Sequence, residues 1–383
     1  MDRATQLLGR QVVIGMITHW AERVLGRGDY SVAIPVMDGP LQPNQALDED
    51  TSIRAEMPML DNVVWTGREL LFASGNSLWR LPDLHRAAPE EVRNFDHPIA
   101  SLALLHDGGL AVGLDGRGIC IHGGDFDGLT FESSEKLPLN CPTAILSVSA
   151  SEIVVCNGST DFPASRWKHD LMSLGHSGRV HAISLETKAV RQLAKGLAFP
   201  YGLARFQGDI VVSEAWKHRL LKVALASDGT PEPVLSRLPG YPSRITPAAF
   251  GGYWLTLFAA RNQLVEFVLR ETAYRRRMIA EVDSEYWIAP AYTTGASFKE
   301  PLQGDGVKTM GIVKPWAPPR SYGLLVYCDQ DLQPVASWHS RADGRNHAIT
   351  SVAEAGGEVF VSATGPGRLL SLSVTHAELE ENA

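Results

Sequence analysis

Gly196–Leu225, GLAFPYGLARFQGDIVVSEAWKHRLLKVAL, repeats with a period of two rather than 3.6. Leu203, Ile210, Val211, Val212, Leu220, Leu221 and Val223 supply apolar and β-branched positions. Pro200-Tyr201-Gly202, Gln207-Gly208-Asp209 and Trp216-Lys217-His218 break them into a turn followed by three short strands. An antiparallel sheet of this size cannot bury both faces alone, so it needs neighbours of the same kind.

Those neighbours recur along the chain. Asp61 onward reads DNVVWTGRELLFASGNSLWRLP, with a Thr66-Gly67 turn, and Pro98–Gly123 repeats the plan. A third unit opens at Thr143 and runs through Glu152–Cys156 and Arg179–Ser184, interrupted by an insertion from Asn157 to Gly178. Within it, Asp161–His176 is expected to form a short helix or lid whose polarity favours exposure. Gly196–Leu225 is read as the fourth unit, and Leu238–Leu269 opens the fifth, with Arg275–Arg277 at its outer edge. A long excursion from Ala289 to Pro319 follows, and His347–Val374 supplies the sixth unit.

Six units over Asp61–Val374 predict an all-β, six-bladed β-propeller with long inter-blade insertions, closed by an outer strand at Thr51–Met57. Closure removes exposed sheet edges. The competing arrangement is two β-rich domains split near Leu137 or inside the excursion. Before the ring, Leu8, Val12, Met16, Trp20 and Val24 make a helical stripe over Thr5–Leu25, and Pro35, Gly39, Pro40 and Pro43 an extended collar. The expected division is therefore a helix and collar over 1–50 and a single propeller over 51–383.

Composition narrows the partners. The 383 residues include 35 Gly and 23 Pro, which favours short strands. Net charge is -8, from 35 basic and 43 acidic side chains, and argues against a nucleic-acid partner. Cys120, Cys141, Cys156 and Cys328 contain no CxxC pair, against a cysteine zinc site. No run approaches the roughly 20 apolar residues that span a bilayer, and no cleavage-site pattern follows Val12–Ile17. A soluble, cytoplasmic protein is expected, with a small organic ligand and an open oligomeric state. Gly108-Gly109 and Gly356-Gly357 read as hairpin turns rather than phosphate loops, and no serine lies in a nucleophile elbow.

Gly196-Leu197 with Phe199–Leu203 and Val212-Ser213-Glu214 resembles a blade of the strictosidine synthase-like proteins. Leu238–Ile245 resembles their next blade opening, and Ile349–Val352 with Phe360-Val361-Ser362 the last. These belong to a wider superfamily that includes gluconolactonase, regucalcin-like and arylesterase-like proteins. The resemblance implies two chemistries. Lactonase-type members hold a divalent cation such as calcium at the ring centre; the corresponding positions here are Asp61, Thr143, Tyr201 and Ser243, of which only Asp61 is a carboxylate. Asn62 could add a carbonyl oxygen, but a hard cation asks for more charged oxygen than this. The strictosidine synthase comparison implies a metal-free condensation supported by a glutamate, and Thr350 stands at that position, after Asn346-His347.

Two candidate groups of site residues follow. His347 can exchange a proton near neutral pH, with Asn346 or Thr350 orienting a ligand, or it can cap a strand turn or satisfy a buried hydrogen bond. Asp61, Tyr201 and Arg244 open inner strands and can converge on the axis. There Asp61 serves as base, Tyr201 as donor and Arg244 as carboxylate binder, or Asp61 and Arg244 make a structural ion pair. Glu214 is expected to orient the next turn, and His97 to stand either in the cavity or at a strand start. The functional expectation is an ester or lactone hydrolase. A metal-independent condensing or lyase-type enzyme and a non-catalytic ligand-binding or interaction propeller are the alternatives.

Overall fold

The computed structural model describes residues 34–375 except 87, 227–228, 302–307, 310–311 and 314–319, together with 379. The Thr5–Leu25 helix expected from the sequence lies outside the described residues. Val36–Ala383 forms one compact unit, so the collar belongs with the ring. Asn44 Nδ2 donates to the Ser337 carbonyl at 2.9 Å, and the Asp48 carboxylate accepts from the Arg345 and Asn346 amides.

The ring has six four-stranded antiparallel sheets. Their innermost strands are Leu60–Trp65, Ile99–Leu104, Pro142–Ser149, Pro200–Phe206, Gly240–Pro247 and Ile349–Ala355. Thr51–Glu56 is the outer strand of the sixth blade and pairs with Arg368–Leu372. N-terminal chain thereby completes the last blade, and no blade is left one strand short.

Three segments fold differently from their sequence reading. Gly196-Leu197 ends the outer strand of the third blade, Val190–Leu197, so the motif straddles two blades. Gln263–Arg270 and Thr272–Glu281 are helices rather than edge strands. Asn262 caps the first, its Oδ1 accepting from the Leu264 amide at 2.8 Å, and Val265 and Val268 bury one side. Arg275–Arg277 lies on the second helix; Arg275 is buried and donates to the Leu269 carbonyl, whereas Arg277 pairs outward with Glu281. The third-blade insertion contains the expected short helix, Trp167–Met172, but Trp167, Leu171 and Met172 are buried. Its apolar residues face an aromatic cluster, which outweighs the polar average of the segment.

Buried polar side chains join neighbouring blades around the ring. Ser101 Oγ donates to the Pro142 carbonyl at 2.6 Å, Thr143 Oγ1 to Pro200 at 2.6 Å, Ser213 Oγ to Ser243 at 2.5 Å and Ser243 Oγ to Ile349 at 3.1 Å. Ser351 Oγ accepts from the Val63 amide at 3.0 Å, and Asn62 Nδ2 reaches the Ile99 carbonyl at 3.5 Å. Each joint is thus a polar contact between adjacent blades. Gly202 permits one of these approaches, because a Cβ there would stand 2.4 Å from the Ser243 carbonyl oxygen.

Thr143 and Ser243, read from the resemblance as positions of metal ligands, spend their hydroxyls on this circuit. Thr143→Val is expected to cost about 1–2 kcal/mol, since the Pro200 carbonyl loses a buried donor. The check is a lower urea midpoint with an unchanged denaturant slope.

Candidate functional site

Arg244 leaves the innermost strand of the fifth blade and extends across the axis. Its Nη1 lies 3.0 Å from both Asp61 carboxylate oxygens and 3.2 Å from the Thr350 carbonyl. Nη2 donates to the Ala100 carbonyl at 2.7 Å and to Thr143 at 3.3 Å. The guanidinium carbon stands 5.2 Å from the centroid of the Tyr201 ring. Its neighbours come from the other five blades. Burial alone would lower the Arg244 pKa, but the adjacent Asp61 carboxylate outweighs that and holds it above its ordinary value.

Asp61 is held equally firmly. Oδ1 accepts from Thr350 Oγ1 at 2.6 Å and from Ser362 Oγ at 3.3 Å, in addition to Arg244. Asn62, in a left-handed conformation at φ 60°, makes a 3.5 Å contact to Asp61 Oδ2, while its own buried Oδ1 has no hydrogen-bond partner. The sequence-predicted Asp61, Asn62, Thr143, Tyr201, Arg244 and Thr350 therefore meet at one place.

Above this polar knot lies an aromatic roof. Tyr201 packs edge-on to Phe199 and Phe258, with centroids 5.6 and 5.9 Å away. Trp167, from the third-blade insertion, stacks on Tyr292, from the fifth-blade excursion, at 5.1 Å, and both rings contact Phe258. The insertion is fixed ahead of its helix by Asp115, which accepts from the Ala164 and Ser165 amides, and on the helix by Asp170, which accepts from Trp216 Nε1 at 2.7 Å. Burial pushes the Tyr201 hydroxyl up to about 12, with a hydrogen bond to Tyr292 acting against it; burial also raises Tyr292. Both phenols are consequently neutral donors at physiological pH.

On the other side of Arg244 the channel opens into a cavity of about 420 Å³. Arg244 borders it, and Val63, Trp65, Ile145, Leu203 and Val352 contribute walls downstream on the inner strands. Glu354, also on the cavity, is committed to Trp254 Nε1 and the Ala249 amide.

The remaining expected residues stand elsewhere. His347 is 3% exposed, with Nδ1 2.7 Å from Ser321 Oγ and Nε2 2.7 Å from the Arg341 carbonyl. A carbonyl can only accept, so Nε2 carries the proton and Nδ1 accepts from Ser321. Burial lowers its pKa, favouring this neutral bridge, and neither ring nitrogen is left for a ligand. Asn346 donates to the Leu47 carbonyl and accepts from Arg368, tying the collar to the sixth blade. His97 Nδ1 lies 3.2 Å from the Asp115 carbonyl. Glu214 accepts from Arg219 Nε across the following turn, as expected, and also from the Ala198 amide ahead of its own hairpin.

Tyr292, Trp167 and Phe258 had no role in the sequence reading beyond membership of an insertion, an excursion and a strand. The two non-repeating segments were the available signal: interruptions of a regular ring that carry aromatic residues.

The axial donors do not suit a divalent cation. Among the described residues Asp61 is the only carboxylate bonded to Arg244, burial keeps Tyr201 protonated, and the Thr143 and Ser243 hydroxyls are turned to neighbouring blades. Among the described residues no group of three or more His, Cys, Asp or Glu side chains could hold a metal ion.

Comparison with known proteins places this geometry. No family model matches the chain. It is 31% identical over 107 residues to adipocyte plasma membrane-associated protein of Danio rerio, a match spanning 26% of each chain. The solved structure of a gluconolactonase from Xanthomonas campestris aligns at TM-score 0.54 and 12% identity, over 85% of this chain and 95% of that one. A calcium-binding regucalcin from Agrobacterium tumefaciens aligns at TM-score 0.51 and 10% identity, over 85% and 94%. At such identities the likeness is one of fold, the six-bladed propeller. Among the described residues no helix is long and apolar enough to cross a membrane.

Proposed function

We propose that this protein is a small-molecule enzyme that hydrolyses an ester or lactone without a metal ion. The observation that carries the reading is the meeting of two neutral phenols, Tyr201 and Tyr292, beside the Arg244–Asp61 pair at the ring axis. The gluconolactonase among its structural neighbours favours the same substrate class. In this reading the Tyr201 hydroxyl donates to the substrate carbonyl oxygen, where negative charge grows as water adds to the carbonyl carbon. Asp61 takes the proton from that water and returns it to the alkoxide released when the acyl C–O bond breaks. Arg244 pairs with Asp61 and balances its charge.

The test is a panel of aliphatic and aromatic esters and of five- and six-membered lactones, assayed after chelator treatment. Tyr201→Phe is expected to lower kcat/KM by about 100- to 1000-fold with an unchanged circular dichroism spectrum. Equal turnover by wild type and Tyr201→Phe would remove Tyr201 from the chemistry and sink the mechanism.

One observation supports a second reading, a ligand-binding propeller without turnover. Asp61 already accepts from Arg244, Thr350 and Ser362, which opposes its use as a base. The largely apolar cavity below Arg244 suits a small organic guest, with or without a carboxylate. Saturable binding of such a compound, with no hydrolysis anywhere in the panel, would favour this reading.

A further inference from the structure

Oxygen atoms from four different blades converge on the Arg244 guanidinium: the Asp61 carboxylate and the carbonyls of Ala100, Thr143 and Thr350. A fifth blade presents the face of Tyr201, which attracts a cation through its ring quadrupole. Arg244 itself is supplied by the remaining blade. Each of these groups presents an acceptor atom or a π face to the guanidinium, a surrounding that favours a positive charge at the centre. A guanidinium supplies that charge with directional donors in a plane, which a compact ammonium does not. Asp61 and Arg244 are only 17% and 13% exposed, so water offers little compensation if either partner is removed.

We propose that Arg244 is the protein's own axial cation: its side chain closes the propeller electrostatically in place of a metal ion, and shortening it uncovers a cation site made by Asp61 and the carbonyls of Ala100, Thr143 and Thr350. The inference is independent of any reaction at the site. It concerns ring stability and ion binding, and its test is read without turnover.

Thermal unfolding of the full chain is compared with and without chelator, calcium and methylguanidinium. Wild type is expected to keep the same Tm in all four conditions. Arg244→Ala is expected to lose roughly 4–7 °C and to regain part of it with methylguanidinium but not with calcium. Adding Asp61→Asn to that variant should abolish the recovery, because the carboxylate that pairs with the guanidinium is gone. Should Arg244→Ala fail to fold, Arg244→Lys decides the matter: it retains the charge with fewer bonds and is expected to melt between wild type and the loss set for alanine. A wild-type Tm that rises with calcium, an Arg244→Lys or Arg244→Ala Tm equal to wild type, or a folded Arg244→Ala that methylguanidinium does not stabilise or that calcium stabilises instead would each overturn the proposal.

Discussion

Phe258→Ala is expected to destabilise the protein by about 3–5 kcal/mol, a large share of what an ordinary domain possesses. The side chain is completely buried on the second strand of the fifth blade, Tyr253–Ala260. Its ring meets Trp167 at 5.3 Å, Tyr241 at 5.6 Å, Tyr201 and Tyr292 at 5.9 Å and Trp216 at 6.3 Å. These partners come from two blades, the third-blade insertion and the fifth-blade excursion. Truncation therefore opens a cavity where four chain segments meet, and rigid aromatic neighbours cannot collapse into it. Urea unfolding measures the loss as a shift in midpoint. Phe258→Leu, which refills part of the volume, should recover a substantial fraction; a loss below about 1 kcal/mol for the alanine variant would show that the roof does not support the ring.

A second large effect is expected in acid. Glu266 lies 8% exposed in the first turn of the Gln263–Arg270 helix, 3.1 Å from Arg261 Nε and 3.4 Å from His218 Nε2. Burial alone would raise its pKa, but hydrogen bonds and charge from His218 and Arg261 overcome that and hold it at about 2, below its ordinary 4.5. A carboxylate depressed on folding contributes stability that is present above the unfolded value and is lost as pH falls toward the folded one. The shift corresponds to about 3 kcal/mol, fully present at neutral pH and fading between about pH 5 and pH 2.

His218 acts in the same direction. Burial lowers its pKa, so the unfolded chain takes up this proton first and acid again favours unfolding. Glu266→Gln should accordingly be less stable than wild type by about 3 kcal/mol at neutral pH, with the two converging as the medium approaches the folded pKa. A difference that stays constant across the acid range would assign the loss to packing instead of ionisation.

The fold was largely legible because strand alternation and turn residues report local physics. Leu203 and Ile210–Val212 alternate with Gly208 and His218 in a way that only short antiparallel strands satisfy, and the same pattern returns at Asp61, Pro98, Thr143 and Ile349. The closing strand at Thr51–Glu56 followed from the need to leave no edge. Gln263–Arg270 was misread because its apolar residues, taken in a short window, resemble a strand; the Asn262 cap and the spacing of Val265 and Val268 were the helical signals.

Site residues were legible to the extent that blade geometry places the start of each inner strand at the axis. Asp61, Tyr201 and Arg244 follow on that ground and Thr350 from the family resemblance, and the four do meet. His347 and Asn346, close to the same strand start, are instead held by Ser321, Arg341 and Leu47. Two residues before a strand the chain has already turned outward, and single-residue register decides which side chains face the channel.

By itself, then, the sequence determined the repeating antiparallel units, a property carried by residue type and local spacing, and, through the family resemblance, the scarcity of carboxylates at the axis. Only the tertiary structure decided that Arg244 spans the centre to Asp61 and to the carbonyls of Ala100, Thr143 and Thr350. Those carbonyls belong to the backbone, which has no identity in a sequence, and their convergence exists only once the ring has closed.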